Sequence, residues 1–287
     1  MPMTRRTFTL TAALSPLAGC AASPVSQTVL RANPETDMPP NSSAPPPRQP
    51  AALWAYDQLL DELVAANRIL LHHQIVDSFG HVSARHPDRP DRFLMSGRKA
   101  PSLVERADIR EFGLDGELAV PDGTPSFLER YIHSAIYTAR PDVQSVVHSH
   151  SPGIIAFGVV PETPLRPICH TCGFLGGGAP VFEIRDELGP ASNLMITNQT
   201  LGLALAKKLG SASYVLMRGH GSTAVGRNLP ESVYNAIYAE TNARIQTTAM
   251  TMGPVTFLSP EEAAATSGGG PIVVERTWNH WKSEIAS

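Results

Sequence analysis

The chain has 287 residues, three of them cysteine, with 17% charged residues and a formal net charge of −3. That balance carries no basic footprint, which argues against a nucleic-acid partner. There is no internal repeat, and the length beyond the first fifty residues fits one single-core domain.

The chain opens MPMTRRTFTLTAALSPLAGCAAS. A basic start, a short apolar middle and small residues near a processing point read as an export signal over residues 1–22. The pair Arg5-Arg6 ahead of Phe8 resembles a Tat signal. Leu17-Ala18-Gly19-Cys20 resembles a lipobox, which would make Cys20 the lipidated first residue of a periplasmic or membrane-anchored protein. The alternative is an ordinary cytoplasmic start with two chance arginines. The apolar run is too short to cross a bilayer as a helix. Residues 23–50 are rich in Pro, Ser and Asn without an apolar period, so a disordered tether is expected there. The folded domain is expected over residues 51–287.

Within it, Leu59, Leu63, Ala66 and Leu70 fall on one face of a helix expected between Leu53 and Asp77. A loop with GHVSARHPDRP follows, then the strand-like RFLMS. Leu103 to Ile109 reads as a short helix capped near Ser102, and EFGLDGELAV as a hairpin around Asp115-Gly116. Ser126 to Thr138 reads as a helix ended by Arg140-Pro141. VQSVVHSH is a strand, Gly153 to Phe157 a short helix, Leu201 to Leu209 another helix and SYVLMRG a strand. A final long helix starts near Pro230, a residue suited to a first helical turn. Mixed strands and helices with at least one hairpin give an α/β class with a mixed or mainly antiparallel sheet.

Two histidines in VVHSHSP, His148 and His150, point to the same side of a strand because side chains alternate. An HxH pair supplies only two of the ligands that a metal site needs. His220 lies in RGHGS between Gly219 and Gly221, whose lack of a side chain permits a turn and a close approach. Glu129 lies on the helix leading into the HxH strand, with His133 one turn later; a helical Glu on its own more often faces water. His72 and His73 read as packed or exposed helix residues, and His86 and His280 as solvated. Cys169 and Cys172 form CHTC, which reads as a disulfide, a redox or metal motif, or two small buried residues. Gly176 to Gly178 lack the GxxxxGK spacing of a phosphate loop.

The run SFLERYIHSAIYTARPDVQSVVHSHSP, the downstream RGHGSTAVG and the loop GHVSARHP together resemble the class II aldolase/adducin family, over about Leu53 to Met252. The resemblance implies an αβα sandwich with a mixed, mainly antiparallel central sheet, and a homotetramer. It implies that His148, His150 and His220 bind a divalent metal, commonly zinc, that Glu129 is the acid/base residue, and that His133 is structural. A metal held by three neutral imidazoles keeps its charge and open positions, which suits a lyase that stabilises an enolate. Adducin-like members without the metal ligands are non-catalytic, and a ligand-binding protein for small acids is a further alternative.

The chain departs from the sugar-phosphate aldolases where these hold the phosphate. His81 replaces an Asn beside Ser83, Arg98 and Lys99 follow Ser96-Gly97, and Pro125-Ser126-Phe127 stands in place of a Ser-Ser pair. MSGRKAPSLV, RPICHTCGFLGGGAPVFEI and PVTFLSPEEA resemble the decarboxylase branch, which acts on carboxylated dienoates and dihydroxyphthalate-like acids. A decarboxylase of a small carboxylated keto or enol acid is therefore expected ahead of an aldolase. His81, Ser83, Ser96, Arg98 and His170 are the candidate substrate contacts, with His81 and His170 alternatively proton donors or packed loop residues. Arg98 and Lys99 are alternatively a solvated pair.

Overall fold

Short strands rich in Val, Phe, Leu and Met build a central seven-stranded sheet. The computed structural model describes residues 54–267 and 270–286. The expected export signal, the tether and Cys20 lie outside the described residues. The strands are β1 His81–Arg85, β2 Arg92–Ser96, β3 Ile109–Gly113, β4 Ser145–Ser149, β5 Val181–Phe182, β6 Tyr214–Met217 and β7 Gly221–Gly226. Their order is β3-β2-β1-β4-β7-β6-β5, antiparallel except for the parallel edge pair β5 and β6.

Side-chain alternation sends neighbouring strand residues into two separate cores. Val82, Ala84, Leu94 and Val147 face one, with α1 (Tyr56–His72), α6 (Leu229–Met252) and α8 (Gly270–Ile285). Phe93, Met95 and Val146 face the other, with α2 (Arg130–Ala139) and α5 (Gln199–Leu209). The result is the expected αβα sandwich with a mainly antiparallel sheet. α3 (Pro152–Val159) follows β4, while α4 (Arg185–Leu188) and α7 (Pro260–Thr266) are short connectors. Glu240 of α6 accepts the Gly153 and Ile154 backbone N–H groups at the start of α3 (3.3 and 3.1 Å).

Several expectations need correcting. HVSAR, expected in a loop, is β1, a central strand buried along its whole length. Its polar residues are paired in the interior, so a hydrophobicity pattern does not reveal it. The short helix expected at Leu103 to Ile109 is replaced by 3-10 turns at Pro101–Leu103 and Arg106–Asp108. There Asp108 accepts the Glu105 backbone N–H and the Lys99 ammonium, and such side-chain bonds compete with helix continuation. The helix expected from Ser126 starts at Arg130, with Glu129 as its N-cap residue. His86, expected solvated, is buried against Tyr56, and its Nδ1 accepts the Asp88 and Arg89 backbone N–H groups.

α6 begins as expected, Pro230 lying in its first turn after the Asn228 cap, but it is not the last helix. α7 and α8 follow, and α8 buries Val274, Trp278 and Trp281. Buried Glu62 of α1 accepts Trp278 Nε1–H (3.0 Å) and Lys282 Nζ–H (2.6 Å), fixing α8 to the domain.

Candidate active site

β4 brings His148 to the α2 face of the sheet, and His150 follows just beyond the strand end. His220 comes from the tight turn between β6 and β7. Gly219, at φ +66°, makes that turn possible without a side-chain clash. At Gly221 a Cβ would lie 2.0 Å from the Ser149 carbonyl oxygen, so only glycine lets β7 approach β4 here. Two segments distant in sequence therefore meet at one point.

The ring tautomers follow from the outer nitrogens. His148 Nδ1–H donates to the Ser222 carbonyl (3.0 Å) and His220 Nδ1–H to the Leu194 carbonyl (2.8 Å). Both Nε2 atoms are thereby turned inward, as in histidines whose outer N–H is committed to a carbonyl. His150 Nε2 lies 3.0 Å from His148 Nε2 and 2.8 Å from His220 Nε2. Neutral imidazole lone pairs at such separations repel unless a proton or a metal cation sits among them. Glu129 Oε2 lies 3.5 Å from His148 Nε2 and 3.4 Å from His220 Nε2. Its Oε1 accepts the Ile196 backbone N–H (3.1 Å). Ligand atoms of Glu129, His148, His150 and His220 all lie within 4.8 Å of one another, a donor set that fits a divalent ion.

Burial works against the charge on Glu129, but His148 and then His220 outweigh it and hold the carboxylate well below its usual range. Burial, reinforced by His148 and His220, pushes His150 down to about 4, which leaves it a neutral ligand at neutral pH. His220 is moved the other way: burial disfavours its charge, but the hydrogen bond to Glu129 raises its pKa above the ordinary value. Below that raised pKa the metal-free site holds on His220 a proton that an incoming cation must displace. Metal uptake by the metal-free protein is expected to release this proton at pH values below the raised His220 pKa. Apparent affinity should fall by about tenfold per pH unit below that point, one proton's worth, and level off above it. Calorimetric titrations in buffers of different ionisation enthalpy check this, and a pH-independent affinity through that window would contradict it.

A family model, Class II Aldolase and Adducin N-terminal domain, matches residues 61–247. The chain belongs to the class II aldolase and adducin family. Among family relatives, Decarboxylase tropJ of Talaromyces stipitatus is 38% identical over 245 residues, covering 77% of this chain and 92% of the relative. A 3,4-dihydroxyphthalate decarboxylase of Arthrobacter keyseri is 26% identical over 241 residues, covering 79% and 94%. The fold is similar to that of L-fuculose 1-phosphate aldolase from Glaciozyma antarctica, with TM-score 0.66 and 22% identity over 80% of this chain and 89% of that one. As a class II aldolase family member with decarboxylase relatives and a His/Glu cluster fit for a metal, the protein is an enzyme, a metal-dependent lyase of decarboxylase or aldolase type.

Beside the histidines lies a cavity of about 330 Å3 lined by His81, Arg98, Lys99, Phe127, Glu129 and Met195 among others. His81 is buried, its ring packed on Phe127 (4.6 Å between centroids) and His148 (5.0 Å). Lys99 is tied to Asp108 (2.7 Å). The exposed Arg98 guanidinium has no hydrogen-bond or ion-pair partner among the described residues. Not every residue expected at the substrate is brought here. Ser83 is fully buried beneath His81 and bonded to His133 and Tyr137, so it does not line the cavity. Ser96 is buried at the end of β2 beneath the Arg98 loop. His170 is exposed at the head of a 3-10 turn and does not line the cavity. Cys169 and Cys172 are free thiols with Sγ atoms 2.9 Å apart in that same turn.

Sequence reasoning missed the segment Asn193 to Ile196, which supplies the carbonyl held by His220 and the N–H held by Glu129. Leu194 adopts φ +67°, a left-handed backbone that is unfavourable for a branched-chain residue. A non-glycine residue there has no periodic signature, and its role appears only in the folded chain. Phe79 was also missed; 63% exposed, it stacks on His150 at 6.0 Å.

Proposed function

We propose that the protein decarboxylates a small carboxylated keto or enol acid with a divalent metal as cofactor. The observation that carries this is the unpaired Arg98 guanidinium on the cavity that also holds the His/Glu cluster. A guanidinium fork pairs with the two oxygens of a carboxylate. Phe127, packed on His81, offers no hydrogen bond to a phosphate at the position where sugar-phosphate relatives place a Ser-Ser pair. The names of the decarboxylase relatives favour the same reading.

In this reading Arg98 binds and orients a substrate carboxylate, and the apolar faces of Phe127 and Phe79 limit water around it. A divalent ion held by His148, His150 and His220 supplies Lewis-acid stabilisation of negative charge developing on substrate oxygen. Loss of carbon dioxide leaves an electron pair on carbon that must take a proton. Glu129, held as a carboxylate in the metal-free site, would take that proton from the substrate's hydroxyl or from water on Oε2, the oxygen not engaged with Ile196, and pass it to the carbon. The three imidazoles and a nearby carboxylate support zinc as the ion. The family resemblance supports a homotetramer. The twin arginine and the Leu-Ala-Gly-Cys run support export with a lipid tether at Cys20.

The test is a panel of carboxylated dienoates and dihydroxyphthalate-type acids assayed for carbon dioxide with the metal-loaded enzyme. Release from at least one acid is expected, and Arg98→Ala is expected to raise its KM about tenfold or more, with a smaller change in kcat. Cleavage of a sugar phosphate with no carbon dioxide from any acid would assign the site to an aldolase instead.

A further inference from the structure

A line of hydrogen bonds runs from the cavity into the α2 core. His81 Nδ1 lies 2.7 Å from His133 Nε2, and His133 Nδ1 lies 2.6 Å from Ser83 Oγ. Ser83 Oγ lies 2.7 Å from Tyr137 Oη. His133 and Ser83 are wholly buried, and Tyr137 is 1% exposed. The line begins on β1, crosses to α2, returns to β1 and ends on α2, so both elements must be in register for it to form.

We propose that Tyr137, Ser83 and His133 are positioning residues that lock His81 in one tautomer, with its Nε2–H presented to the cavity as a fixed hydrogen-bond donor to a substrate oxygen. This rests on the lyase reading of the cavity given above. The direction of each bond follows from counting protons. Buried Tyr137 keeps its phenolic proton, and the acceptor within reach is Ser83 Oγ. Having accepted there, Ser83 donates its own proton to His133 Nδ1. His133, with Nδ1 as acceptor, carries its proton on Nε2 and donates it to His81 Nδ1. His81 therefore carries its proton on the remaining nitrogen, Nε2. One proton lies between the two rings, and reversing any link would leave two donors or two lone pairs facing each other in the core, at the cost of an unsatisfied buried group.

The line also separates donating a hydrogen bond from giving up a proton. If His81 released Nε2–H, neutrality would have to be restored by passing protons outward along the line, from Tyr137 through Ser83 and His133 to His81, leaving Tyr137 as a buried phenolate. Burial raises the Tyr137 pKa, so that end does not yield its proton. His81 accordingly holds an oxygen of the acid substrate, and the proton to carbon falls to Glu129. The guanidinium of Arg85 sits over the Tyr137 ring (4.8 Å) and donates to the Tyr137 and Val143 carbonyls, which fixes the far end of the line in place.

Nitrogen NMR of the zinc-loaded, 15N-histidine-labelled protein reads the tautomers directly. Both His81 and His133, assigned with His81→Gln and His133→Gln, are expected as neutral rings protonated at Nε2. Either ring found protonated at Nδ1, or as an imidazolium at neutral pH, overturns the proposal. Ser83→Ala is expected to lower kcat at least tenfold with metal content and KM little changed, and Ser83→Thr, which restores the hydroxyl, to recover most of it. Wild-type kcat in Ser83→Ala also overturns it. If the wild-type protein decarboxylates none of the acids, the decarboxylase reading fails by itself, and the tautomer measurement still decides whether the line is proton-ordered.

Discussion

His150→Ala is expected to cost the protein its divalent ion and more than about 100-fold of turnover. That figure is the upper end of what losing a mere partner of a metal-binding histidine costs, and His150 is placed as a ligand itself. Its Nε2 is the shared neighbour of the other two, 3.0 Å from His148 and 2.8 Å from His220, so its removal takes away the central donor of the set. It lies beyond the end of β4 and is only partly buried, so truncation should leave the sheet and its cores intact. Elemental analysis of the purified variant, alongside a thermal melt close to that of the wild type, is the check. A full complement of metal in His150→Ala would remove the three histidines as the binding set.

Glu129→Gln is expected to do the opposite to the metal and nearly the same to the rate. Glutamine keeps the shape of the side chain, and its carbonyl oxygen can still accept the Ile196 N–H that holds Oε1. It cannot carry a proton to carbon. Metal content should stay at the wild-type level while kcat falls by about 100- to 10,000-fold, the range spanned by general acid–base catalysis. Paired metal analysis and steady-state kinetics separate the two roles of the carboxylate. If the variant loses metal together with activity, Glu129 is a ligand first; equal turnover would take it out of the chemistry.

The sandwich was legible where burial follows a simple period. RFLMS, SYVLMRG and the Leu201 to Leu209 helix form within a few residues of where their patterns place them. HVSAR was not, because His81 and Ser83 pair with His133 and Tyr137 of α2 and Arg85 with backbone carbonyls inside the core, and a buried polar strand has the composition of a loop. α8 escaped because its apolar residues are few, and its anchor is a charge, Glu62, more than two hundred residues earlier in the chain. At the site, the HxH pair, RGHGS and the Glu129 segment were visible as motifs, and the fold brings all four side chains together. Ser83, Ser96 and His170 were expected at the substrate on sequence context alone. A polar residue beside a motif can face either side of a strand or turn, and here two face inward and one faces away.

Gly221 has a consequence for how the protein comes into being. The close approach it permits is between β7 and β4, and β4 is also the partner of β1. His148 and His150 arrive with β4, His220 with the turn into β7, and Glu129 with the start of α2. None of these segments holds enough donors alone, and the contacts joining them span long stretches of chain, which close late when loop entropy must first be overcome. A bound ion is therefore a mark of completed assembly: only a chain whose central strands have already found one another can retain it.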